Sequence, residues 1–211
     1  MKTALIIGAT GLVGSKIVRR LNDSKFYSNV VLLVRRKSEF NHLKFEERII
    51  DFDNINKELV TGDDVFCAIG TTLKKAGSKE NQYKIDCEYP FKIAQIAKQN
   101  GVKQFILVSS LGANPKSSNF YLRTKGELEE KVASLNFETF IILRPSIIIG
   151  KRPEFRLGET IGIFFITVFG PLFFGSLKKY KGVRAGAIAA RMITAANQNL
   201  KGKQIIESDK I

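Results

Sequence analysis

The chain opens on a short, unbroken apolar run at residues 3–7, and similar runs recur at residues 30–34, 65–69, 104–108 and 139–143, with a weaker one at 48–50. Short runs without alternation suit strands buried on both faces, because neither side of the pleat meets water. Between them the period changes. Residues 12–21 and 121–135 space their apolar positions three and four apart, which predicts amphipathic helices. Residues 91–98 repeat that spacing, with Phe91, Ala94 and Ala97 on one side, and Pro90 sits either in the first turn or at a kink in a helix begun near Gln82. A polar connection at 55–59, a last helix over 183–196 and a short strand over 204–206 complete the pattern. Strands and helices alternating in this way predict one α/β domain over residues 1–211. With right-handed crossovers it is a doubly wound Rossmann fold, a parallel sheet with helices on both faces.

The regularity breaks after Arg144-Pro145. Residues 161–177, IGIFFITVFGPLFFGSL, are almost wholly apolar and are divided by Gly170-Pro171. They barely reach the length of a membrane span. The expectation is a region, residues 145–182, that covers a substrate pocket at the carboxyl ends of the strands or makes a subunit contact in a homodimer. Weak attachment to a membrane surface, helped by the basic residues that follow, is the other reading.

The first apolar run leads directly into Gly8, Gly11 and Gly14, spaced G-x-x-G-x-x-G, with Ala9 where many dehydrogenases carry a second glycine. A strand turning into a helix through glycines presents backbone N–H groups, here those of Thr10, Leu12 and Val13, and the positive end of the helix dipole to an anion. Gly8 permits the tight turn, Gly11 lets a pyrophosphate approach, and Gly14 lets the helix pack against the strand. A dinucleotide site is therefore expected here. After the second strand an acidic residue would accept from the ribose 2′-hydroxyl of NAD, whereas a basic one neutralises the 2′-phosphate of NADP. The chain has Arg35 and Arg36 there and no acid before Glu39, which favours NADP(H) over NAD(H), with Arg35 the principal candidate. Asp51 and Phe52 follow the third strand near the adenine edge, and Ile69, Gly70 and Thr71 end the fourth beside ribose and nicotinamide.

Composition narrows the chemistry. The 211 residues carry a formal charge of +14, with clusters at Arg35-Arg36-Lys37 and at Lys178-Lys179, Lys181 and Arg184. No nucleic-acid motif accompanies them, so nucleic acid is not an expected partner. His42 is the only histidine, which removes a Ser-His-Asp triad and any multi-histidine metal site. No metal is expected. Cys67 and Cys87 have no metal or redox spacing, and no N-terminal signal precedes the first strand, so a cytoplasmic protein with reduced thiols is expected.

An acid–base group must then come from elsewhere. Tyr121 and Lys125 stand four apart at the start of a predicted helix and share a face. A tyrosine phenol ordinarily titrates near pH ~10, and a neighbouring ammonium favours the phenolate, bringing proton exchange with a carbonyl oxygen within reach. None of the other four tyrosines has a lysine at that distance. The preceding strand ends in Ser109-Ser110, whose hydroxyls can bind the same substrate oxygen.

Together Gly8-x-x-Gly11-x-x-Gly14, Ser109-Ser110, Tyr121-x-x-x-Lys125 and Arg144-Pro145 resemble the short-chain dehydrogenase/reductase superfamily in its extended and atypical branches. FCAIGTT, SSLGA, SSNFYLRTKGELEEKV and LRPSIIIGKRPEFRLGE resemble more narrowly the HIV Tat-interacting oxidoreductase-like family, over most of the chain to about Glu159. The resemblance implies an NADP-binding Rossmann fold with Ser, Tyr and Lys as machinery. Tyr121 would be the general acid/base, Lys125 would hold the nicotinamide ribose, and Ser110, or Ser109 before it, would bind the substrate oxygen. Pro145, Ser146 and Ile147 would border the nicotinamide. The chain departs at Asp86, where many superfamily members carry an Asn. The function expected is an NADPH-dependent reductase of a small carbonyl or related unsaturated substrate. The alternative is an NADPH-binding regulatory protein with little turnover.

Overall fold

The computed structural model describes residues 1–150 and 180–211. Its strands are β1 (Lys2–Ile7), β2 (Tyr27–Val34), β3 (Phe45–Ile49), β4 (Asp64–Cys67), β5 (Gln104–Val108), β6 (Thr139–Arg144), β7 (Ile148–Ile149), β8 (Val183–Arg184) and β9 (Gly202–Glu207). The helices are α1 (Gly14–Asn22), α2 (Leu73–Ala76), α3 (Lys79–Tyr83), α4 (Tyr89–Gln99), α5 (Phe120–Ala133) and α6 (Ala185–Ala196). Seven strands form one parallel sheet in the order β3-β2-β1-β4-β5-β6-β9, and β7 and β8 pair separately.

Alternation along β1 shows how the two faces are filled. Ala4 and Ile6 pack with Ile17, Val18 and Leu21 of α1 and with Ile188, Ala189 and Met192 of α6. Leu5 and Ile7 face the other way, into Ile93 and Ala97 of α4 and Leu128 and Val132 of α5. Because both faces are covered, the central strands read as continuous apolar runs. The strand order reverses beside β1, and Ile7 is in register with Leu33 of β2 and Cys67 of β4. Three strands thus end flush at the switch point, where open α/β sheets bind ligands. At the opposite end the buried Asp64 carboxylate takes the Tyr27 hydroxyl at 2.5 Å, Lys2 Nζ at 3.0 Å and Gln104 Nε2 at 3.0 Å.

Several boundaries differ from the sequence expectation. β3 begins at Phe45 rather than 48, because this edge strand carries three charged residues in succession, Glu46, Glu47 and Arg48, and so shows no apolar run there. Residues 183–184 form β8 before α6 starts, and the final strand extends over Gly202–Glu207 because the whole length pairs with β6. Around Pro90 both expectations are partly met. Helical structure runs from Lys79 to Gln99, and a π turn, Lys84–Glu88, precedes the proline. Pro90 has no N–H to give to residue 86 and its ring would crowd that carbonyl; the wider turn removes the conflict. The apolar residues 161–177 and the Lys178-Lys179 pair lie outside the described residues. Of the expected covering region, residues 145–150 with β7 and residues 180–182 are described: the Ile147 carbonyl accepts the Val183 N–H of β8 at 2.9 Å and Ser146 Oγ donates to Lys181 O at 2.5 Å.

Candidate active site

The turn after β1 has the shape its glycines predict. Gly8 has φ +83°, and a Cβ there would lie 2.7 Å from the Ala68 carbonyl carbon. A Cβ on Gly14 would lie 2.0 Å from Gly8 O, so α1 starts against the turn itself. Gly11 donates its N–H to Gly8 O at 2.9 Å, closing the bend. Among the described residues no acceptor takes the N–H groups of Leu12 and Val13. A cradle that side chains would fill, ending in free donors at a helix N-terminus, fits a nucleotide diphosphate. Thr10 is exposed at the rim, and the Leu12 side chain lies against Gly150, where an added Cβ would meet it at 2.6 Å.

Around this cradle the other expected cofactor residues fall at the same sheet edge. Arg35 and Arg36 are exposed after β2, and among the described residues neither is held in an ion pair. Asp51 is exposed, but Phe52 is buried with its ring 5.2 Å from that of Tyr89, so Phe52 shapes the wall from within. Gly70 is exposed, and Ile69 and Thr71 are partly covered. Pro145 is buried, its carbonyl accepting the Leu111 N–H at 2.9 Å, while Ser146 and Ile147 are partly exposed.

The reactive end is built on α5. Asn119 caps the helix through Oδ1 to the Leu122 N–H at 3.1 Å, which sets Tyr121 in the first turn and Lys125 one turn on. Tyr121 is 38 % exposed, open to a substrate, whereas Lys125 is 3 % exposed. Lys125 Nζ lies 5.8 Å from the Tyr121 ring centroid and 4.0 Å from Asp86 Oδ2. Burial pulls the Lys125 pKa down, but Asp86 and then Tyr121 outweigh it, and the net shift is upward. A Cβ on Gly70 would touch both partners, at 3.6 Å from Asp86 Oδ1 and 3.7 Å from Lys125 Nζ. The ion pair therefore lies directly under the exposed Gly70 backbone.

The two serines separate. Ser109 is buried and donates to Glu129 Oε1 at 2.5 Å, in a cluster where Arg144 forks onto the same carboxylate at 3.1 and 2.6 Å. Its hydroxyl is committed to that buried carboxylate. Ser110 is partly exposed, with only a 3.4 Å contact to Leu111 O. Of the pair, Ser110 is the one whose hydroxyl is not held by the Glu129 carboxylate. Two residues that shape the site, Gly126 and Glu129, were not read as such in the sequence, and Asp86 was marked there only as a departure from the superfamily's Asn. Gly126 lets α5 sit against the loop after Ser110, since its Cβ would fall 2.3 Å from Asn114 C and Pro115 N. Glu129 anchors the end of β5, and Asp86 reaches Lys125 from the π turn. A glycine in a charged helix, which costs about 1 kcal/mol of helix propensity, was the legible sign at Gly126.

Residues 8–157 match the family described as NAD(P)H-binding. Protein FMP52, mitochondrial, of Candida albicans is 36 % identical over 217 aligned residues, covering 97 % of this chain and 93 % of that protein. Protein HTATIP2 of Rattus norvegicus is 35 % identical over 182, covering 83 % and 72 %. The chain belongs to the NAD(P)H-binding, atypical short-chain dehydrogenase/reductase family. The fold of this family member also matches solved structures: MoeE5 in complex with UDP-glucuronic acid and NAD (TM-score 0.75, 17 % identity, 97 % of this chain and 75 % of that one). The Bordetella bronchiseptica enzyme WbmH in complex with NAD+ matches with TM-score 0.72 and 17 % identity, over 99 % and 76 % of the two chains. Among the described residues no group of His, Cys, Asp and Glu could hold a metal ion, and no helix is long and apolar enough to cross a membrane.

Proposed function

We propose that this family member is an NADPH-dependent reductase of a small carbonyl or related unsaturated substrate. The observation that carries the reading is the placement of Tyr121, Lys125 and the Ser110 hydroxyl at one sheet edge, with the phenol open to solvent and the ammonium buried beside it. NADPH, when bound, supplies the hydride. Ser110 donates a hydrogen bond to the substrate oxygen and Tyr121 gives it a proton as negative charge develops there. Lys125 holds the ribose hydroxyls and keeps a positive charge beside the phenol. The backbone of residues 8–14 carries the diphosphate, Asp51 borders the adenine, and Pro145, Ser146 and Ile147 border the nicotinamide. Arg35 meets the 2′-phosphate, with Arg36 beside it. Their exposure without an ion pair among the described residues supports that assignment.

The test is NADPH oxidation by the purified protein over a panel of aldehydes, ketones and enones, alongside two variants. Tyr121→Phe should lose turnover by about 100-fold or more while NADPH affinity is unchanged, since it removes a proton donor and no binding group. Unaltered turnover in that variant would defeat the acid–base role. NADPH bound with no oxidation on any substrate would favour the regulatory alternative. Arg35→Ala should weaken NADPH by about ten-fold and leave NADH alone, the value of a charge-assisted hydrogen bond. Equal affinities for the two nucleotides in the unmutated protein would refute the preference.

A further inference from the structure

Arg35, Arg36 and Lys37 stand on an arch of chain between β2 and β3, and the β3 segment holds both feet of the arch. The first foot is Val34, whose carbonyl accepts the Ile50 N–H at 2.9 Å. The second is Ser38. Its N–H reaches both carboxylate oxygens of Glu47, at 3.1 and 3.3 Å, and its hydroxyl donates to Oε1 of the same group. Glu47 lies in register with Leu32 rather than Val34, so by Ser38 the chain has doubled back along the sheet. The Ser38 hydroxyl also accepts the Phe40 N–H at 3.2 Å, and the Phe40 ring stands edge-on to that of Phe45 at 6.4 Å. Between the two feet the cations are exposed, and among the described residues none of the three is held in an ion pair. The Glu47 oxygens are taken up by Ser38 instead.

We infer that Ser38 and Glu47 are positioning residues, a clasp that sets how strongly the site selects a nucleotide carrying a 2′-phosphate. The inference rests on the reading of Arg35 as the group that meets that phosphate, and it extends that reading to the residues that hold Arg35 in place. A guanidinium forks onto phosphate only when its planar set of donors is aimed at it. A loop loose at one end must be ordered as the ligand binds, and that entropy is subtracted from the affinity. With both feet pinned, only the side chains remain to be ordered. Charge alone predicts the reverse. A carboxylate beside the arch repels the 2′-phosphate, so a Glu47 that acted only through its charge would weaken NADPH binding. The two roles differ in sign.

Calorimetric titration of the full chain with NADPH and with NADH separates them. Glu47→Ala should weaken NADPH by about five- to ten-fold, in the range of one or two lost hydrogen bonds, and change NADH by less than about two-fold. Ser38→Ala removes the hydroxyl and keeps the N–H contact, so it should lose about three-fold on NADPH alone. Ser38→Thr, which retains a hydroxyl, should keep the preference. The double variant Ser38→Ala/Glu47→Ala should be no weaker than Glu47→Ala, since both residues act through one clasp. NADPH bound more tightly or unchanged in Glu47→Ala overturns the inference. So does an equal loss for the two nucleotides, which a merely structural Glu47 would give. Should Glu47→Ala fail to fold, Ser38→Ala decides, and an unaltered preference in that variant counts against the clasp. Amide hydrogen exchange of the nucleotide-free protein reads the clasp itself. The Ser38 N–H should exchange about ten-fold faster or more in Glu47→Ala, and an unchanged rate also overturns the inference. Arg35→Ala with the nucleotide preference intact defeats the 2′-phosphate reading. Arg35→Ala that loses the preference while Glu47→Ala keeps it defeats the clasp alone.

Discussion

Gly126 shows how much one missing methyl group can hold in place. Its Cβ would meet backbone atoms of Asn114 and Pro115 at 2.3 Å, and backbone cannot swing aside as a side chain can. Gly126→Ala should cost about 1–3 kcal/mol, the usual range for overpacking. Thermal unfolding should then shift down by about 2–4 °C per kcal/mol in a chain of this size. The displacement of α5 would also separate Tyr121 and Lys125 from Ser110, so turnover should fall further than stability. Lys125 carries a pH signature as well. Its folded pKa lies above the ordinary lysine value, so its contribution to stability is complete below pH ~10.5 and is lost as pH rises through the higher folded value. Urea unfolding at stepped alkaline pH should show that loss, and Lys125→Met should flatten it. Cys67 gives a simpler check. Burial pushes its thiol up to about 11, so iodoacetamide at neutral pH should leave it unmodified until the protein unfolds.

Between elements, the Glu129 cluster ties three strands and a helix. Glu129 of α5 takes Ser109 at the end of β5 and the Arg144 fork from β6, and Arg144 Nη1 also lies 3.4 Å from Glu207 Oε1 of β9. Removing one partner of a buried pair leaves the other uncompensated, at about 3–5 kcal/mol. Arg144→Ala should therefore lower the unfolding midpoint markedly, whereas Arg144→Ala/Glu129→Leu should recover much of the loss. Equal melting temperatures for Arg144→Ala and the unmutated chain would contradict the cluster's role. The same cluster explains why the two serines are not equivalent. Adjacent residues at a strand end point to opposite faces, and here one face holds a carboxylate.

For the molecule as a whole, the site lies where three parallel strands end flush and the strand order turns back, so ligand binding and folding are linked. NADPH at 100 times its dissociation constant should stabilise the native chain by about 2.7 kcal/mol. That corresponds to a rise of about 5–10 °C in melting temperature. NADH at the same concentration should give a smaller rise, and Arg35→Ala should bring the two nucleotides together. Differential scanning fluorimetry across nucleotide concentrations reads all three comparisons. Identical shifts for NADH and NADPH in the unmutated protein would count against the 2′-phosphate reading.

Sequence alone determined the parallel sheet, the glycine cradle and the Tyr121–Lys125 face. All three rest on local rules: apolar runs mark doubly buried strands, glycine marks positions with no room for a Cβ, and residues four apart share a helix face. Its errors lay where tertiary context overrides local pattern. The edge strand β3 hides its period behind charges, and β8 is a strand only because β7 lies beside it. Tertiary structure alone decided which serine is available, because Glu129 is 20 residues away in the chain. It alone brought Asp86 to Lys125, across 39 residues of sequence, through a turn that exists because Pro90 cannot donate a hydrogen bond. Hydrogen bonding and charge pairing between distant segments leave no period in the sequence, and only the folded chain brings their partners together.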